Sequence, residues 1–148
     1  MQKQEINIKK LDEKAIIPTY GSEYSAGADL YACLEEETVI APGETKLIHT
    51  GIAMEIPVGY AGLIYARSGL ASKRGLAPAN KVGVVDSDYR GEFMVALHNH
   101  SGEPQAVAPG ERIAQMVVTP VLAVSFHEVE ELGETERGGG GFGSTGRR

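Results

Sequence analysis

The chain of 148 residues carries a formal net charge of −6, with 14 Lys and Arg against 20 Asp and Glu. That balance, with no Lys/Arg run, excludes a general nucleic-acid or acidic-membrane surface, so a phosphate ligand needs local cations, backbone N–H groups or a metal. One domain with a proper core is the simplest reading of the length, and Cys33, the only cysteine, excludes an intrachain disulfide and Cys-rich zinc sites.

In chain order, the N-terminal MQKQEINIKKLDEK lacks an apolar signal core, and the greasiest stretch, residues 116–126, contains Pro120 and is too short to span a bilayer. A soluble cytoplasmic protein is expected. Ile6 and Ile8 alternate with polar residues and suggest a first strand, followed by a loop over 18–25. Residues 28–34 read as a strand with Leu30 and Ala32 on one face and Asp29, Tyr31 and Cys33 on the other. Ala41-Pro42-Gly43-Glu44 is a type II turn signal, and its letters recur at 108–111. Further strands are expected at 46–56, 60–67, 82–86, 92–98, 112–119 and 121–129, with one short helix at 68–74. Many short strands at near-regular spacing predict an all-β sandwich or barrel. Residues 1–132 are expected to form this single β domain, and 133–148 a flexible, glycine-rich arm.

The most informative stretch is NKVGVVDSDYRGEFMV, residues 80–95. Two apolar runs around a polar turn read as a β-hairpin with a wide loop. Taken alone, such a loop is most simply a solvated acidic turn. Yet it presents two carboxylates, a tyrosine and an arginine, more than a turn requires.

Other candidates are weaker singly. Arg67-Ser68-Gly69, where a strand gives way to the helix, offers a guanidinium, a hydroxyl and an N–H to an oxyanion. The alternative is an N-cap serine beside a surface arginine. Gly141-Phe142-Gly143-Ser144-Thr145-Gly146 matches G-x-G-x-x-G, but only two residues follow it, so the dinucleotide fold cannot be built. Its N–H groups and hydroxyls can still wrap phosphate. His98 and His100 share a strand face, but no Cys/His cluster supports a metal there; His49 and His127 stand alone. Asp29 must be either inward and paired or outward and solvated, Gln115 poses the same question, and Lys73 with Arg74 reads as a solvated face.

The order of these segments is more specific than any one of them. AGADLYA, ARSGLASKRGL, GVVDSDYRG, GERIAQM and RGGGGFGSTG together resemble the five motifs of the homotrimeric dUTPase family, over residues 26–146. The resemblance implies a jelly-roll-like fold, a homotrimer with active sites at subunit interfaces, and Mg²⁺-dependent hydrolysis of dUTP to dUMP and pyrophosphate. That reaction lowers dUTP and supplies dUMP for thymidylate synthesis. By resemblance, Asp86 is the base for water attacking the α-phosphorus. Asn80 and the backbone of Val84, Val85 and Asp86 read uracil, Tyr89 packs on deoxyribose, and Met94 lines the nucleoside site. Arg67, Ser68, Gly69 and Gln115 hold phosphates, while Asp29 supports the metal–water shell or the interface. Arg137, Phe142, Gly143, Ser144 and Thr145 close over the ligand, with Phe142 stacked on the base. Two rivals remain. dCTP deaminases share the architecture but place a catalytic glutamate where this chain has Ala96, and a non-catalytic nucleotide-binding sandwich would not need a base.

Overall fold

The apolar runs become strands, and the breaks between them decide which sheet each strand joins. The structure is a computed structural model that describes residues 4–146; the outermost parts of the expected domain and arm, 1–3 and 147–148, lie outside the described residues. In chain order the strands are β1 (Asn7–Lys10), β2 (Thr19–Tyr20), β3 (Ala28–Tyr31), β4 (Thr38–Ile40), β5 (Thr45–His49), β6 (Ile52–Glu55) and β7 (Tyr60–Tyr65). Helix α1 (Ser68–Arg74) leads into β8 (Leu76–Pro78), β9 (Gly83–Val85), β10 (Met94–Asn99), β11 (Gln105–Val107) and β12 (Arg112–Pro120). They form an antiparallel five-stranded sheet ordered β2-β3-β12-β7-β9, a three-stranded sheet β5-β10-β8, and the ribbons β1-β6 and β11-β4. This is the all-β, jelly-roll-like architecture expected, with α1 at the expected residues.

Strand alternation builds the core. Along β10, Val95, Leu97 and Asn99 are buried while Met94, Ala96 and His98 are half-buried. Phe93, Leu30, Ile40, Ile48, Leu76 and Ile113 fill the interior with them. Asn99 is the polar exception, and it is satisfied. Its amide donates to Ile40 O at 2.9 Å and Glu103 O at 2.8 Å, tying the three-stranded sheet to β4. The repeated Ala-Pro-Gly-Glu segments do share turn chemistry. Gly43 and Gly110 both have φ 75°, and each glutamate carboxylate accepts its turn's first N–H, at 2.8 and 2.9 Å.

Several expectations are corrected. The runs flanking the central turn do not form a hairpin: β9 pairs with β7, whereas β10 pairs with β5 and β8. Residues 86–93 therefore bridge two sheets. Residues 46–56 are not one strand, because the chain takes a positive φ of 68° at Gly51 and divides into β5 and β6 on different sheets. Residues 121–129 form no strand, although Leu122, Val124 and Phe126 alternate there; they are 91%, 64% and 94% exposed. A strand needs a neighbouring ladder, and among the described residues these have none. Arg74 is not on a solvated face. It pairs with Glu111, donates to Ala106 O, and reaches Gln105 Oε1 at 3.3 Å.

Candidate active site

The crossing from β9 to β10 opens a cleft of about 270 Å³ between the two sheets. Asn80, Val84, Val85, Asp86, Tyr89 and Met94 all line it, so six of the residues singled out in the sequence meet in one place. Leu47, Ile64, Gly83, Glu92 and Phe93 complete the lining. Because β9 is an edge strand, alternate residues turn unpaired N–H and C=O groups away from β7, a fixed row of donors and acceptors.

Asp86 follows the last residue of β9 and is exposed. Its carbonyl accepts the Tyr89 N–H at 3.2 Å, closing the turn. Arg90 donates to Ser87 O at 2.7 Å and Tyr89 O at 3.1 Å, and its Nε lies 3.8 Å from Glu55 Oε1. The Asp86 carboxylate lines the cleft with no ion-pair partner among the described residues.

Tyr89 is held from three sides. Its hydroxyl donates to Glu92 O at 2.9 Å, and its ring lies 6.1 Å from that of Phe93, tilted by 40°. A Cβ on Gly91 would meet the phenol oxygen at 2.5 Å, so only glycine lets the ring fold back.

A second cluster lies across β3, β12 and β7. Gln115 on β12 stands opposite Asp29 on β3 and Tyr65 on β7. Asp29 is inward and paired: Oδ1 accepts from Arg67 Nε at 2.8 Å and Oδ2 from Arg112 Nη1 at 3.3 Å. Gln115 donates to Ala66 O at 2.8 Å, and its amide fills the space a Cβ on Gly27 would need. Two side chains therefore fix the approach to α1, one holding the Arg67 guanidinium and the other the backbone before it. Ser68 and Gly69 follow, exposed. Ser68 is not the N-cap; Arg67 occupies that position without a side-chain capping bond, leaving the Ser68 hydroxyl for another partner.

The glycine-rich segment joins neither group. Arg137 Nε donates to Gly140 O at 2.7 Å, and successive turns follow at Gly141–Ser144 and Gly143–Gly146. Phe142 is fully exposed at φ 51°, with Gly143, Ser144 and Thr145 exposed beside it. His98 and His100 pack edge to face at 4.5 Å, and among the described residues no three His, Cys, Asp or Glu side chains converge as metal ligands. Burial, then the carboxylates of Asp12, Glu92 and Glu35, push the Cys33 thiol above its ordinary value, away from the reactive thiolate. Sequence reasoning missed Glu92, Phe93 and Arg112 as site residues. Glu92 stood beside the turn in sequence, but its partners His49 and Gly51 lie 43 and 41 residues away.

The family model for dUTPase matches residues 13–146. The chain belongs to the dUTPase family. It is 52% identical over 142 residues to the deoxyuridine 5′-triphosphate nucleotidohydrolase of Nautilia profundicola, covering 96% of this chain and 99% of that one. Its identity to the enzyme of the same name from Syntrophotalea carbinolica is 49%, covering 95% and 96%. Among solved structures, a mutant dUTPase of Staphylococcus bacteriophage 80alpha with dUpNHpp superposes with a TM-score of 0.84 at 29% identity, covering 97% of this chain and 99% of that one. A mutant dUTPase from phage phi11 of S. aureus, described with a structural Mg(II) ion, gives 0.76 at 27% identity over 86% of this chain and 98% of that one.

Proposed function

We infer that the chain hydrolyses dUTP to dUMP and pyrophosphate, with Asp86 as the base. The observation that carries this reading is the unpaired Asp86 carboxylate at the end of an edge strand whose backbone lines the same cleft. Uracil lies along β9 and Asn80, deoxyribose against Tyr89, and Met94 borders the nucleoside. Asp86 takes a proton from water as the water oxygen bonds to the α-phosphorus. The bond from that phosphorus to the bridging oxygen breaks, and pyrophosphate leaves with the electron pair. A rigid row of hydrogen-bond partners and a positioned base account for selectivity and much of the rate.

The donor set fits magnesium arriving on the triphosphate. Mg²⁺ favours carboxylate and phosphate oxygens and keeps several waters, so it needs no dedicated protein cage. When bound, it neutralises charge on the phosphate oxygens. Of the two carboxylates that line the cleft, Glu92 is taken up by His49 and Gly51, so Asp86 would be the one to meet the waters of such an ion. Both Asp29 oxygens already accept from arginines, which favours Asp29 as the residue that orients Arg67 over a metal ligand. Arg67, Ser68, Gly69 and Gln115 then serve the phosphates, and Arg137, Phe142, Gly143, Ser144 and Thr145 close over the nucleotide.

A homotrimer with sites at subunit interfaces is supported by the separation of these parts. Among the described residues, neither the Arg67 cluster nor the arm lines the cleft of its own chain. The exposed apolar alternation at 121–129 would gain a ladder and cover by pairing with another copy. The division of the chain into a β domain at 1–132 and a closing arm at 133–148 belongs to the same proposal. So does a cytoplasmic setting, where a soluble nucleotide is met. No helix among the described residues is long and apolar enough to cross a membrane.

The direct test is a panel of dUTP, dTTP, dCTP and UTP with Mg²⁺, following pyrophosphate, monophosphate and ammonia. Pyrophosphate release from dUTP alone is expected, since the thymine methyl clashes with the β9 edge and cytosine mispairs with it. Ammonia from dCTP would point to a deaminase, and binding without turnover to a non-catalytic module. Tyr89→Ala should open space beneath the sugar and raise UTP turnover relative to dUTP. An unchanged ratio of kcat/KM values would move sugar selection to another residue.

A further inference from the structure

We propose that Arg112 binds phosphate directly, as the second guanidinium of a clamp with Arg67 that takes the nucleotide's outer phosphates; this rests on the reading of Arg67 given above. Arg112 and Gln115 are three residues apart on β12, an odd spacing that would put them on opposite faces of a regular strand. A β-bulge brings them to the same face. Arg112, Ala114 and Gln115 pair in turn with Tyr31, Leu30 and Asp29 on β3, so Ile113 is the extra residue. Ile113 and Ala114 are accordingly both fully buried, one after the other. Arg112 thus joins Asp29 and Gln115, and its Nη1 donates to Asp29 Oδ2 at 3.3 Å.

One carboxylate therefore holds two guanidiniums together. Arg67 reaches Asp29 through Nε and Arg112 through Nη1, so both Nη groups of Arg67, and Nε and Nη2 of Arg112, keep their N–H donors. Among the described residues, Asp29 is the only ion-pair partner of either arginine. Two cations against one anion leave a positive surplus, and the side chains are 32% and 50% exposed. A chain of net charge −6 has no general attraction for a polyphosphate and needs such a local surplus. The planar forks match phosphate oxygens, and a pair of them suits an anion whose charge is spread over several phosphates.

Arg112→Gln removes the charge and the fork. With Mg²⁺ present, its Kd for dUpNHpp is expected to rise at least about tenfold, the size of a lost hydrogen bond between charged groups. Its Kd for dUMP, which lacks the outer phosphates, should move by less than about twofold. Arg112→Lys keeps the charge without the fork and should give a smaller rise for dUpNHpp. If Arg112 served only to hold Asp29, Arg112→Gln would add nothing in an Asp29→Asn chain. A direct contact predicts a further loss of dUpNHpp affinity in that background. An unchanged Kd for dUpNHpp, an equal rise for dUMP, or no further loss beside Asp29→Asn overturns the proposal alone. A parent chain that binds no dUpNHpp overturns the reading of the site and the proposal with it. If Arg112→Gln lacks the parent's cooperative thermal melt, the same titrations of Arg112→Lys decide. A rise for dUpNHpp without one for dUMP supports the proposal, and no rise overturns it.

Discussion

Asp86→Asn is expected to abolish turnover while leaving dUTP bound. Asparagine has nearly the shape of aspartate and still accepts a hydrogen bond from water, but it cannot take the proton. A positioned base is worth roughly 10²–10⁴ in rate, so kcat should fall by at least about a hundredfold. Binding should change little, because Asn80, Tyr89, Met94 and the β9 edge line the cleft independently of that carboxylate. The fold should also persist, since among the described residues the Asp86 side chain makes no ion pair that its loss would break. Steady-state kinetics beside a dUTP titration separates the two effects. A variant that keeps more than about a tenth of the parent kcat contradicts the assignment.

Truncation after Glu136 should give the second large loss, in kcat/KM, without loss of fold. Of the removed segment's described residues, 137–139 and 142–146 are exposed and only Gly140 and Gly141 are half-buried, so none of them belongs to the core. The melting temperature should hold within a few degrees. What is lost is closure. Phe142 supplies base stacking worth roughly 1–3 kcal/mol; Ser144, Thr145 and nearby N–H groups supply phosphate contacts, and the closed arm excludes water. Phe142→Ala alone should cost about tenfold, within that stacking range. Near-normal activity of the truncated chain would make the segment an inert end, and a collapsed melt would make it structural.

How much of this could be read from residues alone depends on how far apart the interacting groups lie. Helix α1 and the paired Ala-Pro-Gly-Glu turns were legible because a few adjacent residues decide them. The clustering of Asn80, Asp86, Tyr89 and Met94 was legible because all four fall in the one stretch 80–95. The supposed hairpin failed because pairing is a non-local choice: the β9 run found β7 and the β10 run found β5 and β8. The break at Gly51 depends on a packed corner formed with Ala15 and Cys33. Residues 121–129 alternate as a strand should, but alternation cannot create a partner, and the described residues do not provide one. Glu92 and Arg74 were misjudged for one reason, since Arg74 meets Glu111 across 37 residues as Glu92 meets His49 across 43.

The central claim is that water held by Asp86 attacks the α-phosphorus of dUTP, and it is tested most directly by one turnover in water enriched in the heavy oxygen isotope. The account predicts that the label appears in dUMP and not in pyrophosphate, and that Asp86→Asn yields neither product at an appreciable rate. Label in pyrophosphate, or labelled dUMP formed as fast by Asp86→Asn as by the parent chain, would contradict it.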